Sequence, residues 1–266
     1  MADTLKEVHE ELLILLERLH AFCKENHIRY SLHGGTMLGA VREHGFIPWD
    51  DDADVTFARD QFDRFVPLAR EAFCAGDVRF DEDSRYPKLV MMRTGRPVVW
   101  IDFFVYDYIT DVPLLRKLKL WGTQFFILLT RTKEEQALSN SHGVHGRLGK
   151  LGMSVLVALA AIVPFRCRLH LARRFMTAFP GKRRHVHRSN DTNRGMKMIL
   201  PAGVLDAVIP VSFAGRQFDV YEDYDTVLRA SYGPNYMVPL QDKPAQTHEV
   251  SLQKEREYFV NKFFAR

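Results

Sequence analysis

Residues 34–55 read GGTMLGAVREHGFIPWDDDADV. This stretch joins a glycine turn, one arginine and four aspartates. Carboxylates that converge repel one another and raise each other's pKa, so such a dense set must either stay in water or share a cation. Apolar and β-branched residues flank the acids at 46–49 and 55–57, which places the run inside a fold. The stretch therefore predicts a metal site beside a turn that can hold phosphate.

The segment before the acids predicts a strand, a tight turn and a helix. Residues 28–33 alternate in polarity and run into Gly34 and Gly35, and residues 36–43 have helical composition. The N–H groups at the start of such a helix, together with the helix dipole, stabilise an anionic phosphate. A glycine pair alone is more often an ordinary turn, so this prediction depends on the acids that follow. The candidate phosphate-binding residues of the turn are Gly34, Gly35 and Thr36.

Strand parity separates the acids from one another. If residues 53–57 form a strand, Asp52 and Asp54 project from the same face. Two carboxylates on this spacing suit Mg²⁺ or Mn²⁺, which bind through one or two carboxylates plus substrate phosphates. Asp50 extends the site or holds a metal-bound water. Asp51 has the opposite parity, so its side chain is expected to cap backbone N–H groups or to pair with a basic residue. The alternative interpretation is a solvated acidic turn.

A third carboxylate lies in the middle of a later strand. Residues 98–106 are apolar on both faces, as a central strand should be, apart from Asp102. A buried carboxylate without a partner is expensive, so Asp102 either binds the same metal as Asp52 and Asp54 or pairs with a buried arginine. We favour the ligand role. The predicted metal ligands are then Asp52, Asp54 and Asp102, with Asp50 as an additional candidate.

The net charge of +4 conceals a strong asymmetry. Residues 111–190 hold fifteen Lys or Arg and three acidic residues, a net charge of +12, which leaves −8 for the rest of the chain. Such a split points to a polyanionic or membrane-surface partner for the basic part, residues 111–190. Nucleic acid is not the expected partner, because the aromatic and basic interleaving of known modules is absent.

Two apolar segments lie within this basic part. Residues 151–165 are fewer than the roughly twenty that span a membrane, so they form either a buried helix or an interfacial helix beside lipid headgroups. A second set could line one side of a helix: Leu114, Leu115, Leu118, Trp121, Phe125, Phe126 and Leu129.

The rest of the chain predicts an α+β fold. Residues 1–110 are expected to form a catalytic core, 111–195 a basic, apolar helical insertion, and 196–266 a part that completes the first domain and ends in a helix over 254–264. Three cysteines without paired spacing argue against a disulfide framework or a zinc knuckle. The N-terminal residues lack a signal-peptide pattern, so a cytoplasmic location is expected.

These residues resemble the LicD family of phosphotransferases, in the LicD/fukutin-like branch of the nucleotidyltransferase superfamily. The first matching block is residues 34–54, and a looser one runs from Phe213 to Pro239. Asp102 matches the third carboxylate of the family, and Lys88 matches a further position less specifically. The resemblance covers roughly residues 4–110 and 196–248 and leaves the basic insertion unassigned.

The resemblance implies a nucleotidyltransferase-like mixed β-sheet flanked by helices. It also implies metal-dependent transfer of a phosphoryl-linked head group, such as phosphocholine, from a CDP-activated donor to a hydroxyl of a surface glycan, with release of CMP. The acceptor would be a lipopolysaccharide, capsule or teichoic acid glycan, free or lipid-linked, and the enzyme would act in the cytoplasm or at the inner face of the membrane.

The residue roles follow the same resemblance. Asp52, Asp54 and Asp102 would be catalytic and would hold Mg²⁺ or Mn²⁺, and Arg42 and Lys88 would offset the remaining phosphate charge beside the glycine turn. Two other functions remain open. One is a nucleotidyltransferase that uses a nucleoside triphosphate on another acceptor, and the other is a membrane-surface module without catalysis.

Overall fold

The computed structural model describes residues 5–84, 86–130 and 162–239. The helix predicted over 254–264 and most of the apolar segment 151–165 lie outside the described residues. In the part of the chain that is described, no helix is long and apolar enough to cross a bilayer.

The described residues contain both helices and strands. The helices are α1 Leu5–Glu25, α2 Gly34–Arg42, α3 Arg59–Ala72, α4 Pro113–Leu129, α5 Phe165–Met176, α6 Asn193–Met196 and α7 Tyr224–Tyr232, with one 3₁₀ turn at Ala202–Leu205. The strands are β1 Ser31–Leu32, β2 Ala53–Ala58, β3 Val78–Asp81, β4 Lys88–Arg93, β5 Arg96–Ile109, β6 His185–Arg188, β7 Ile199–Pro201, β8 Val208–Phe213 and β9 Arg216–Tyr221.

Two compact units divide these elements. Among the described residues, the first unit comprises 5–82, 86–106 and 200–239, and the second comprises 83–84, 107–130 and 162–199. The first unit therefore holds α1–α3, β1–β4, most of β5, the β8–β9 hairpin and α7. The second unit holds α4, α5, β6 and α6.

A mixed β-sheet is the centre of the first unit. Five strands lie in the order β1-β2-β5-β4-β3, and of the four pairs along this path β2–β5 is parallel and the other three are antiparallel. The parallel pair sets Asp54 of β2 directly opposite Asp102 of β5. Strands β8 and β9 form a separate antiparallel hairpin. The structure thus confirms the predicted α+β fold, a mixed sheet flanked by helices.

The two faces of β2 have different surroundings, because side chains alternate along a strand. Val55 and Phe57 are fully buried on one face, where the ring of Phe57 lies 5.0 Å from that of Phe65 on α3. The Phe65 ring also contacts Phe103 of β5 at 5.3 Å. This aromatic core leaves Asp54 for the opposite face of the strand.

Helices α4 and α5 pack against each other in the second unit. The rings of Phe126 and Phe175 lie 5.1 Å apart, and Ile127 and Met176 are buried in the same apolar cluster. Gly122 permits this close approach, because a Cβ at that position would lie 2.2 Å from the Phe175 ring.

Polar groups are also buried in the second unit. The ammonium of Lys119 donates a hydrogen bond to the Tyr108 carbonyl at 2.6 Å, and the hydroxyl of Ser189 donates one to Asp107. His187 Nδ1 donates to the Met196 carbonyl at 3.1 Å. Burial lowers the pKa of His187 to about 4, and the nearby charge of Lys119 acts in the same direction.

This pKa makes stability depend on pH. The pKa of His187 in the folded chain lies below the ordinary value of 6.5, so the unfolded chain binds more protons between those two values. We expect the free energy of unfolding to be highest above pH 6.5 and to fall toward pH 4, by about 3 kcal/mol at most. The free energy of unfolding, measured with urea at several pH values in this window, should change less steeply with pH in His187→Gln than in wild type. The exposed His170→Gln should keep the wild-type slope, and an unchanged slope in His187→Gln would contradict the assignment.

Candidate active site

The glycine turn joins β1 to the start of α2. Gly34 has a φ of +55°, a left-handed conformation that glycine adopts without strain. A Cβ on Gly34 would lie 3.0 Å from Oδ2 of Asp54, and a Cβ on Gly35 would lie 2.4 Å from Oδ2 of Asp50. The backbone therefore approaches these two carboxylates more closely than a residue with a side chain would allow.

Hydrogen bonds fasten the turn to β2. The N–H of His33 donates to the carbonyl of Asp54 at 2.9 Å, and the N–H of Asp54 donates to Oγ1 of Thr36 at 2.9 Å. Thr36 is buried, and its side-chain oxygen positions the backbone that carries Asp54. The two glycines, Thr36 and Asp54, which the sequence placed in one site, thus lie together in the structure.

A row of charged side chains crosses four strands of the sheet. The strand register places Asp54 opposite Asp102, Asp102 opposite Lys88 and Lys88 opposite Asp81. Residues directly opposite on neighbouring strands point to the same face, with Cβ atoms about 5 Å apart. Lys88 is largely buried, and its ammonium forms an ion pair with Oδ1 of Asp102. The structure thus gives Asp102 a lysine partner, where the sequence suggested a metal or an arginine.

Negative charge accumulates around Asp54. Burial raises the pKa of Asp54 well above its ordinary value, and the charges of Asp52, Asp102 and Asp50 raise it further, in that order. Lys88 acts in the opposite direction but does not cancel these effects. A site of this kind favours a bound cation, because a cation would relieve the repulsion among the four carboxylates.

The carboxylate oxygens of this site are suited to a hard divalent cation whose remaining ligands come from the substrate. Across residues 5–84, 86–130 and 162–239, no group of three or more His, Cys, Asp or Glu is arranged to hold a metal ion by itself. Mg²⁺, however, is commonly bound by one or two carboxylates, with phosphates and waters completing its shell. Asp52 and Asp54 are the predicted carboxylate ligands of such an ion, and the Gly34–Gly35 turn is the predicted phosphate site.

Arg42 is engaged with its own chain. Its Nε contacts a carboxylate oxygen of Glu43 at 2.7 Å, and NH1 donates to the Tyr236 carbonyl at 3.1 Å. The Tyr236 hydroxyl in turn donates to Asp225 at 2.8 Å. Arg42 therefore ties the end of α2 to the segment that follows α7, and direct phosphate binding by Arg42 remains a prediction.

Tyr232, at the end of α7, is a candidate site residue that sequence reasoning did not select. A Cβ on Gly34 would lie 3.9 Å from the Tyr232 hydroxyl, so this phenol is a neighbour of the glycine turn and of Asp54. Almost half of the Tyr232 surface is exposed, so a bound molecule could reach it. Its only signal in the sequence was its place in the C-terminal block from Phe213 to Pro239.

Comparison with known proteins agrees with this geometry. Residues 27–113 match the family model described as LicD/FKTN/FKRP, nucleotidyltransferase domain. The chain is 28% identical over 266 residues to the lipopolysaccharide cholinephosphotransferase LicD of Haemophilus influenzae, covering 92% of this chain and 96% of that protein. It is also 46% identical over 60 residues to an uncharacterized protein of Rickettsia typhi, which covers 21% of this chain and 19% of that protein.

The family match and the candidate site coincide. The matched range contains the glycine turn, the four carboxylates at positions 50, 52, 54 and 102, and Lys88. The similarity to the Haemophilus protein continues over nearly the full length of both chains. On these grounds the chain is similar to the LicD family, both in the residues that form the candidate site and over most of its length.

Proposed function

We propose that this protein is a LicD-type phosphotransferase. It transfers a phosphoryl-linked head group, phosphocholine or a similar group, from a CDP-activated donor to a hydroxyl of a surface glycan and releases CMP. The observation that carries the proposal is the contact between the Gly34–Gly35 turn and the carboxylates of Asp50 and Asp54. The relative named as a lipopolysaccharide cholinephosphotransferase supports the choice of head group and acceptor.

The glycine turn is proposed to bind the donor's diphosphate. The first N–H groups of an α-helix have no partner within the helix, and the helix dipole adds positive potential at that end. Gly34 and Gly35 open α2, and neither carries a side chain that would obstruct an approaching phosphate. Lys88 supplies one positive charge on the same face of the sheet as Asp54 and Asp102.

A divalent cation completes the proposed site. Asp52 and Asp54 would hold Mg²⁺ or Mn²⁺, with Asp50 and Asp102 as further candidate ligands. When bound, such an ion neutralises phosphate charge and makes the phosphorus more susceptible to attack.

The chain's own residues then orient the reactants. Thr36 fixes the backbone of Asp54, and Lys88 fixes Oδ1 of Asp102. We assign Oδ2 of Asp102 as the acceptor of the proton that the glycan hydroxyl loses when it attacks the phosphorus. The bond from that phosphorus to the CMP oxygen breaks as the new bond forms.

A product assay tests the reaction. The full chain should be incubated with Mg²⁺, a lipopolysaccharide-derived glycan and, in separate reactions, CDP-choline, CDP-glycerol or CDP-ribitol. We expect CMP release together with a mass increase of the glycan equal to one phospho-alcohol. Pyrophosphate release from a nucleoside triphosphate, with no transfer from any CDP donor, would instead identify the nucleotidyltransferase alternative.

The carboxylates give a sharper test. Asp52→Asn and Asp54→Asn should each lower the rate of transfer on the order of a thousandfold, because the amide removes the charge that balances the cation. Asp51→Asn is the matched control and should stay within a few-fold of wild type. Thermal unfolding should confirm that all three variants fold. Wild-type turnover in Asp52→Asn or Asp54→Asn would refute the assignment.

The close approach at the turn makes a separate prediction. In Gly35→Ala the new Cβ would lie 2.4 Å from Asp50 Oδ2, so the carboxylate or the turn must move. We expect the KM for the CDP donor to rise about tenfold or more, which is the effect of losing a contact worth roughly 1.4 kcal/mol. Gly203→Ala is the control, because its Cβ would have only an ordinary contact, 3.6 Å from Asp206. Equal KM values in the two variants would argue against donor binding at this turn.

A further inference from the structure

Helix α4 presents an apolar stripe to solvent. Residues separated by three or four positions share one face of a helix. The stripe, defined here as four side chains with this spacing, is Leu114 (75% exposed), Leu118 (51%), Trp121 (76%) and Phe125 (48%). The opposite side of the same helix, at Lys119, Thr123 and Ile127, is buried.

This arrangement is the reverse of an ordinary surface helix. A surface helix buries its apolar side and exposes its polar side, whereas α4 exposes a tryptophan, a phenylalanine and two leucines. Single exposed apolar residues are common, but a contiguous stripe marks an interaction surface. The stripe must therefore have an occupant that is itself apolar.

The net charge of the second unit indicates which kind of partner covers the stripe. Its described residues include thirteen Lys or Arg and four Asp, a net charge of +9. The exposed Lys117 lies within the turns of α4 that carry the stripe. In a symmetric dimer the same unit of a second copy would bring an equal positive charge against this unit, which is unfavourable. An anionic lipid surface attracts the same charges and also offers an apolar interior.

The composition of the stripe agrees with a lipid interface. Tryptophan and phenylalanine are common at the boundary between headgroups and acyl chains, and interfacial helices lie in that plane with basic side chains toward the headgroups. Each basic residue near an anionic membrane surface contributes about 1 kcal/mol of attraction. Apolar burial and charge attraction thus favour the same occupant.

We propose that the stripe on α4 docks on the surface of an anionic lipid bilayer, with the helix lying in the plane of the headgroups. The inference rests on the proposed function in one respect, namely that an acceptor glycan carried on a lipid is found at a membrane surface. It places the membrane contact expected for the basic part, residues 111–190, on α4, whereas the sequence offered residues 151–165 as the interfacial helix.

Vesicle sedimentation tests the proposal on the full chain. We expect the protein to bind vesicles of phosphatidylcholine and phosphatidylglycerol, to bind vesicles of phosphatidylcholine alone much more weakly, and to be released by salt. Leu118→Gln combined with Trp121→Gln should lower partitioning at least tenfold, since two apolar side chains no longer enter the bilayer. Leu68→Gln changes a similarly exposed leucine on α3 and should bind as wild type does.

A fluorescence measurement locates the contact. The chain has three tryptophans, and lipids with brominated acyl chains quench only those that enter the bilayer. Bound wild type should be quenched, whereas Trp121→Phe should bind with little loss and show no quenching. Absence of vesicle binding, or equal binding by the double variant, overturns the proposal. A dimer in solution that the double variant abolishes also overturns it, because the stripe would then be covered by a second copy.

The two proposals fail separately. Vesicle binding is measured without donor or acceptor, and transfer to a soluble, delipidated glycan should be equal in wild type and the double variant. If both proteins transfer the head group and neither binds vesicles, the membrane proposal alone is wrong. If wild type binds vesicles, the double variant does not, and neither protein transfers the head group, the proposed function alone is wrong.

Discussion

Repulsion among carboxylates is the constraint on which the candidate site depends. The charges of Asp52, Asp102 and Asp50 each disfavour ionisation of Asp54, and burial adds to their effect. A sheet tolerates such a set only when positive charge is close by. Lys88 supplies one such charge through its ion pair with Asp102. The excess that remains is the reason for proposing that a divalent cation, together with the phosphates of a donor, completes this site.

The scaffold holds this unfavourable cluster through contacts that do not involve charge. Aromatic packing around Phe57, Phe65 and Phe103 fixes the register of the parallel β2–β5 pair from the other face of the sheet. That register is what sets Asp54 beside Asp102. Stability from the buried face thus offsets the cost of the charged face, as is common where a protein maintains a reactive site.

Strand parity was sufficient to predict which face of β2 carries Asp54. Alternation predicted that Asp54 faces away from the aromatic core, and the apolar strand around Asp102 predicted a central position in a mixed sheet. The partner of Asp102 could not be predicted, because it depends on how β4 aligns with β5. Tyr232 was missed for a similar reason, since its place beside Gly34 arises from folding of distant segments. Helical spacing gave the apolar side of α4, but spacing alone does not say whether that side faces the core or solvent.

The hydrogen bond between Thr36 and the backbone of Asp54 has a consequence for how substrate preference can change. It ties the glycine turn to β2, so a shift of the turn is passed on to the backbone that carries Asp54. Under the proposed function, a relative that accepts a larger or smaller head group is expected to keep this pair and to differ in the segments around it. The residues that carry out the reaction and those that select the substrate can then change at different rates within one fold. The glycine turn and β2 stay constant, while loops and insertions vary around them.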